Sequence, residues 1–340
     1  MAGRLGALAC PRCWAASLDA AKCRAAARWQ RPPRGEAELV ALPCGATLRV
    51  LLTEAAGEEA SSSRKRLPTL LMAPDPPNTL ETHAALTAAL AARGVRTLTF
   101  ELPGFGFSTP PAGFACTPDA LAAVADELLR WLQRRDGGAP CRVVLALSCV
   151  AGLASRPLAA RRRDAVVGLV RLQTPSPAEA AAWAARADRT GVLRMPLAGQ
   201  LAMLTLHGKV IDSWYRAALA KGRADPLRAP LEAAAHAARA AGAHNCLATA
   251  FQAIGHAHDD TDEAPALTCP ALVLWGGADR SHAATDKRSA AAGLAGAVRF
   301  VEFPDAGHFP ELEATDAFVD ELVAFMGKLD GAGAGAASKL

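Results

Sequence analysis

Short, unbroken apolar runs alternate with longer stretches of helical period over most of the chain, and the alternation is interrupted once. Glu38-Leu-Val-Ala-Leu42 and Thr47-Leu-Arg-Val-Leu-Leu52 flank Pro43-Cys44-Gly45-Ala46 and predict an antiparallel hairpin. Strand-like Thr69-Leu-Leu-Met72, Arg96-Thr-Leu-Thr-Phe100, Arg142-Val-Val-Leu-Ala146 and Val166–Leu172 then alternate with helical stretches near 79–93, 118–134 and up to Arg162. From about Ser176 to Ala264 the chain is Ala-rich and helical in period, and Pro196, Pro226 and Pro230 are expected to divide it into several helices. Strand pattern resumes at Ala271-Leu-Val-Leu-Trp275 and at Val298–Phe303, and an amphipathic helix closes the series near 314–328. Alternation of this kind predicts a mostly parallel sheet with helices on both faces. The interruption predicts a helical cap over the carboxyl ends of the strands, where open α/β sheets bind ligands.

Composition adds mainly an address. Hydrophobic residues make up 51% and charged residues 21% of the 340, which are globular values, and no apolar run reaches the length of a membrane span. The net charge of +4 is concentrated at the start: residues 1–35 hold seven basic side chains and one acid, Asp19, and the remainder is slightly acidic. Neither nucleic acid nor an anionic membrane is therefore expected as a partner. The basic head predicts a disordered extension or a mitochondrial or plastid targeting segment. At the other end, a Gly/Ala spacer from Gly331 presents Ser338-Lys339-Leu340, the form of a peroxisomal address read by an import receptor. Nine cysteines, an odd number, with no secretory signal predict free thiols. Cys10 and Cys13 have a zinc-like spacing, but no second pair follows.

Three stretches carry candidate chemistry: Leu145-Ala-Leu-Ser148-Cys149-Val150-Ala-Gly152, Leu274-Trp-Gly-Gly-Ala-Asp279 and Pro304-Asp-Ala-Gly-His308-Phe309. Each puts a reactive side chain just past an apolar run. A carboxylate that fixes an imidazole tautomer, and an imidazole that takes a proton from a hydroxyl or thiol, form the relay of nucleophilic catalysis.

The turn Glu101-Leu-Pro-Gly104-Phe-Gly106-Phe-Ser108, the stretch Trp275–Asp279 and Gly307-His308-Phe-Pro310 resemble the corresponding turns of capped α/β-hydrolases related to epoxide hydrolases and haloalkane dehalogenases. The likeness runs over about 36–328 apart from the cap. It implies a nucleophile on a strand-to-helix elbow, with small residues two before and two after. Ser148 and Cys149 each break that rule once, at Val150 and Leu147 respectively. Spacing to Gly152 and Val166 favours Cys149, with Ser148 as the alternative. His308 would be the base and Asp279 its orienting acid. Neither frame supplies the aspartate nucleophile of dehalogenase or epoxide-hydrolase chemistry. The family's usual His-Gly turn is replaced by Pro74-Asp-Pro-Pro77-Asn78, and proline has no N–H. The N–H of Val150 is one expected oxyanion donor, and the side chain of Asn78, or that of Asp75 if protonated, is expected to substitute for the lost one.

The expected organisation is a basic extension (1–35), a first part of an α/β-hydrolase core (36–175), a helical cap (176–264), a second part of the core (265–328) and a flexible tail (329–340). The expected activity is cleavage of a small, largely apolar ester, lactone or thioester, with no metal or organic cofactor implied. Two alternatives stand beside it: lyase or C–C or C–X cleavage with His308 as base, and a non-catalytic protein binding a lipid-like ligand or partner. His282 and Asp286 are expected in a solvated loop, with lining of the pocket mouth as the alternative. His256, His258, Asp259, Asp260, Asp262 and Glu263 are expected in a solvated linker. Trp183, Trp214, Tyr215 and Phe251 are expected as core, with some of them lining a pocket.

Overall fold

The computed structural model describes residues 10–29, 32–33, 35–56, 67–220, 224–240, 246–254 and 267–332. The expected linker histidines and acids at 256–263 and the terminal tripeptide lie outside these residues. Eight strands form one sheet: β1 (Glu38–Ala41), β2 (Thr47–Thr53), β3 (Thr69–Ala73), β4 (Thr97–Phe100), β5 (Val143–Ser148), β6 (Val166–Leu172), β7 (Ala271–Gly276) and β8 (Val298–Phe303). Their order is β1-β2-β4-β3-β5-β6-β7-β8. β1 and β2 pair antiparallel, as do β2 and β4, and every other pairing is parallel.

β5 is central, and its sequence shows why. All six residues of Val-Val-Leu-Ala-Leu-Ser are buried, as befits a strand covered on both faces. One face packs under α3 (Pro118–Arg135) and α5 (Ser155–Arg161), with Leu121, Leu128, Leu129 and Leu158 in the interior. The other packs under α2 (Ala84–Ala92) and α10 (Thr315–Ala332), through Leu86, Leu90, Phe318 and Leu322. Each such side chain contributes about 1.5–3 kcal/mol by leaving water. Helix α3 starts where its sequence says it should. Thr117 accepts from the N–H of Ala120, Pro118 occupies the first turn, and Arg134 and Arg135 face the negative end.

Between β6 and β7 lie α6 (Pro177–Ala187), α7 (Ala198–Ala218), α8 (Ala224–Ala240) and α9 (Leu247–Ile254). Two expectations need correction. Pro230 does not end a helix: it sits inside α8, and Pro226 lies in that helix's first turn, where the missing N–H has no intrahelical partner to lose. The head of the chain is not disordered throughout. Pro11–Trp29 form helix α1, with Ala15, Ala16, Asp19, Ala20 and Cys23 buried. Asp19 is fully buried, and its Oδ2 accepts from Thr249 Oγ1 (2.6 Å) and Gln200 Nε2 (3.1 Å). The one acid of the basic head therefore ties α1 to α7 and α9. Composition concealed this, because a single buried aspartate does not alter an Arg/Ala-rich average.

Candidate active site

Cys149 stands at the turn between β5 and the four-residue helix α4 (Cys149–Gly152), with φ at +49°. That backbone region is costly for a residue with a Cβ and recurs at functional turns. Ser148 is still extended strand, and its hydroxyl donates to the carbonyl of Ala73 at 3.2 Å. The two frames left by the sequence are thus separated by geometry: Cys149 is on the elbow and Ser148 is below it. Leu147 breaks the small-residue rule harmlessly, because its side chain joins the apolar layer beneath the sheet. Gly152 is required, since a Cβ there would overlap the side chain of Thr174.

His308 Nδ1 lies 2.7 Å from Asp279 Oδ2. The same carboxylate accepts from Gln173 Nε2 (2.8 Å) and, through Oδ1, from Ser281 N (2.8 Å) and Ser281 Oγ (2.6 Å). Burial alone would raise Asp279, but the facing His308 overrides it and holds the carboxyl below its ordinary range. Gln173, at the end of β6 with φ of +48°, also accepts from Gly276 N through Oε1 at 2.8 Å. It positions the acid and was not singled out in the sequence. Its one visible signal is an amide directly after an apolar strand. The acid and histidine turns touch, and a Cβ on Gly276 would overlap the carbonyl oxygen of Gly307. The histidine turn is held from above as well, His308 N donating to Ala218 O at 2.8 Å.

The other imidazole nitrogen, His308 Nε2, lies 3.2 Å from Asp75 Oδ2, so a second buried carboxylate faces the ring. Burial would lower His308, but Asp279 foremost, with Cys149 and Asp75, holds it well above its ordinary value. Burial, helped by Asp75, pushes the Cys149 thiol up to about 11, although His308 opposes this. The thiol is therefore protonated at neutral pH. Burial wins because Cys149 is only 4% exposed.

Asn78 is not at the cavity wall. Its Oδ1 accepts from Tyr215 Oη (2.9 Å) and its N–H donates to Asp75 O (2.9 Å). The wall at this turn is Asp75-Pro76-Pro77. Among residues 74–77 only Asp75 keeps an N–H, and Val150 N–H lies at the start of α4; Asn78 Nδ2 is buried without a hydrogen-bond partner among the described residues.

Cys149 opens into a cavity of about 90 Å³, several times the roughly 10–15 Å³ that one water requires. Trp183, Ile211, Trp214 and Phe251 from α6, α7 and α9 form its apolar walls, so these helices lie over the carboxyl ends of β3 and β5. Tyr215 does not line it; the fully buried ring supports Asn78 instead. His282 is not in a solvated loop. It is 4% exposed, its ring stacks on Trp183 (5.2 Å, 2°) and on His308 (5.2 Å, 25°), and its Nδ1 lies 3.1 Å from Thr285 Oγ1. Burial, then the neighbouring His308, lowers its pKa to about 3, so it is neutral. Asp286 is exposed and caps a short 3₁₀ turn.

Residues 79–321 match the model of the alpha/beta hydrolase family. The chain belongs to this family. That membership makes it a hydrolase of the α/β-hydrolase type, and it sets aside the non-catalytic reading. The fold is shared with an esterase from Exiguobacterium antarcticum (TM-score 0.62, 16% identity, 85% of this chain and 98% of that one). It is also shared with an enol-lactonase from Burkholderia xenovorans LB400 (TM-score 0.60, 23% identity, 85% and 100%). Epoxide hydrolase A from Mycobacterium thermoresistibile is likewise similar (TM-score 0.65, 16% identity, 85% and 97%). No curated protein sequence matches the chain. Among the described residues no helix is long and apolar enough to cross a membrane.

Proposed function

We propose that this hydrolase cleaves a small, largely apolar ester, lactone or thioester through an acyl-enzyme on Cys149. The reading rests on one observation: Cys149, on a strained elbow at an apolar cavity, faces a histidine whose far nitrogen is held by Asp279 at 2.7 Å. Substrate entry places the carbonyl carbon against Sγ. The thiol proton passes to His308 Nε2 as the S–C bond forms, and the oxyanion meets the N–H groups of Val150 and Asp75. Collapse breaks the bond to the leaving group, which takes the proton from His308. Water, deprotonated by the same nitrogen, then releases the acid and restores the thiol. The esterase and the enol-lactonase that share the fold support the acyl class.

A second reading is favoured by Asp75, whose carboxylate stands 3.2 Å from His308 Nε2, where a proton acceptor in a lyase or C–C-cleaving enzyme would work. Mass spectrometry of the protein mixed with p-nitrophenyl acyl esters separates the two. An acyl group on Cys149 that turns over with product release is the expected result. Turnover of a panel of substrates without any acylated protein would assign the chemistry to the histidine alone.

The terminal Ser338-Lys339-Leu340 supports residence in the peroxisome, through the receptor that reads this tripeptide. A fluorescent protein fused to the N-terminus should give peroxisomal puncta, and removal of residues 338–340 should make them diffuse. Entry of the truncated protein, with its own N-terminus, into mitochondria or plastids would show that the head is the address instead.

A further inference from the structure

The donor atoms around Cys149 outnumber those that acyl transfer uses. Cys149, His282 and His308 are all buried, and Sγ and one nitrogen of each imidazole lie within 4.8 Å of one another. The nitrogens can be assigned. His308 Nδ1 is committed to Asp279, and His282 Nδ1 faces Thr285 Oγ1, so Nε2 of each ring faces inward. His282 Nε2 has no hydrogen-bond partner among the described residues. A buried, unpartnered nitrogen is costly unless something meets it. The Asp279–His308 contact is also the outer-shell arrangement that fixes the tautomer of a metal-binding histidine.

Thiolate and imidazole together select a thiophilic ion over magnesium or calcium, and three protein ligands with one open position suit tetrahedral zinc. Bond lengths in such a site put ligand atoms about 3.3–3.8 Å apart, so the side chains must close by about 1 Å.

We propose that Cys149 Sγ, His282 Nε2 and His308 Nε2 form a binding site for a thiophilic divalent cation of the zinc type, whose occupancy excludes acyl transfer. The ion replaces the thiol proton and the Nε2 proton of His308, both of which leave to solvent, and metal–sulfur and metal–nitrogen bonds form with no change of oxidation state. The same sulfur and the same His308 lone pair cannot then serve a substrate, so the cation acts as a reversible inhibitor. The donors come from three turns far apart in the chain, and none of them belongs to the Cys10–Cys13 pair.

The test uses full-length protein stripped with a chelator, with no substrate present, so its outcome is independent of the hydrolytic reading. Cobalt(II) is added and absorption recorded, and zinc is then used to displace it. The expected result is one equivalent bound, with a thiolate-to-cobalt charge-transfer band and the intense visible bands of tetrahedral cobalt. Cys149→Ser should lose the charge-transfer band. His282→Ala should weaken binding by more than the roughly 10–100-fold that loss of an outer-shell partner costs. In the unaltered protein, one equivalent of zinc should also protect Cys149 from iodoacetamide, a readout that needs no variant to fold. Absence of the charge-transfer band, unchanged affinity in a folded His282→Ala protein, or no protection of Cys149 would each overturn the proposal.

Discussion

At Cys149 burial and a facing carboxylate outweigh the histidine, and the thiol is pushed up to about 11. In the proposed mechanism the nucleophile is therefore made at the moment of reaction by transfer to His308. Cys149→Ala should lower kcat/KM by about 10³-fold or more, since loss of a nucleophile leaves only the oxyanion donors and binding. Ser148→Ala should keep most activity and cost about 1 kcal/mol of stability, because that hydroxyl only donates to Ala73. Steady-state rates and urea denaturation of both variants check this, and the reverse order of losses would move the nucleophile to Ser148. Asp279→Asn should cost roughly 10⁴-fold through the wrong imidazole tautomer, and combining it with His308→Ala should add little to the latter's loss. His308 must be neutral to accept the thiol proton, and its pKa is raised well above 6.5. The ascending limb of kcat/KM should accordingly lie on the alkaline side of that value, and a pH–rate profile reads it directly.

Among the elements, the turns after β5, β7 and β8 were legible because each ends an apolar run with a residue type that only chemistry or a tight approach explains. Their register against one another was not. Gln173, which bridges the acid turn to β7 through Asp279 and Gly276, is an ordinary polar residue until the strands are laid side by side. Helix α1 makes the same point from outside the core. Its content of Ala and Arg gives only a weak amphipathic stripe, and its place is set by one buried acid. Asp19→Ala should cost about 1–3 kcal/mol, since Thr249 and Gln200 lose a shared buried acceptor. Thermal denaturation measures it, and a surface-like loss of only a few tenths would mean that α1 is not held by this network.

On the scale of the whole molecule, His282 links the catalytic core to α6 through its stack on Trp183. Its pKa is about 3 in the folded chain, against an ordinary value of about 6.5 when unfolded. The folded state therefore binds fewer protons here. This contribution is fully present above pH ~6.5 and is lost as pH falls through the folded value. His282→Phe keeps a stacking ring and cannot ionise. The stability of the natural protein relative to this variant should decline steadily from about pH 6.5 toward pH 3, as read by urea denaturation at several pH values. A difference that stays flat over that window would show that His282 is not buried as a neutral ring.

The sequence by itself determined the sheet with its one helical interruption, because alternation of short apolar runs and helical periods is a local property. It also placed Cys149, Asp279 and His308 each just past its own strand, because an apolar run that ends in a reactive side chain is likewise local. Tertiary structure alone decided three things. It put Cys149 rather than Ser148 on the elbow, through a backbone angle that spacing only suggested. It buried His282 against Trp183 and His308 and brought the Asp75 carboxylate to His308 Nε2, contacts that depend on segments far apart in the chain. It also set the charge of the thiol, because the exclusion of water that governs it is a property of the closed cavity and of no single segment.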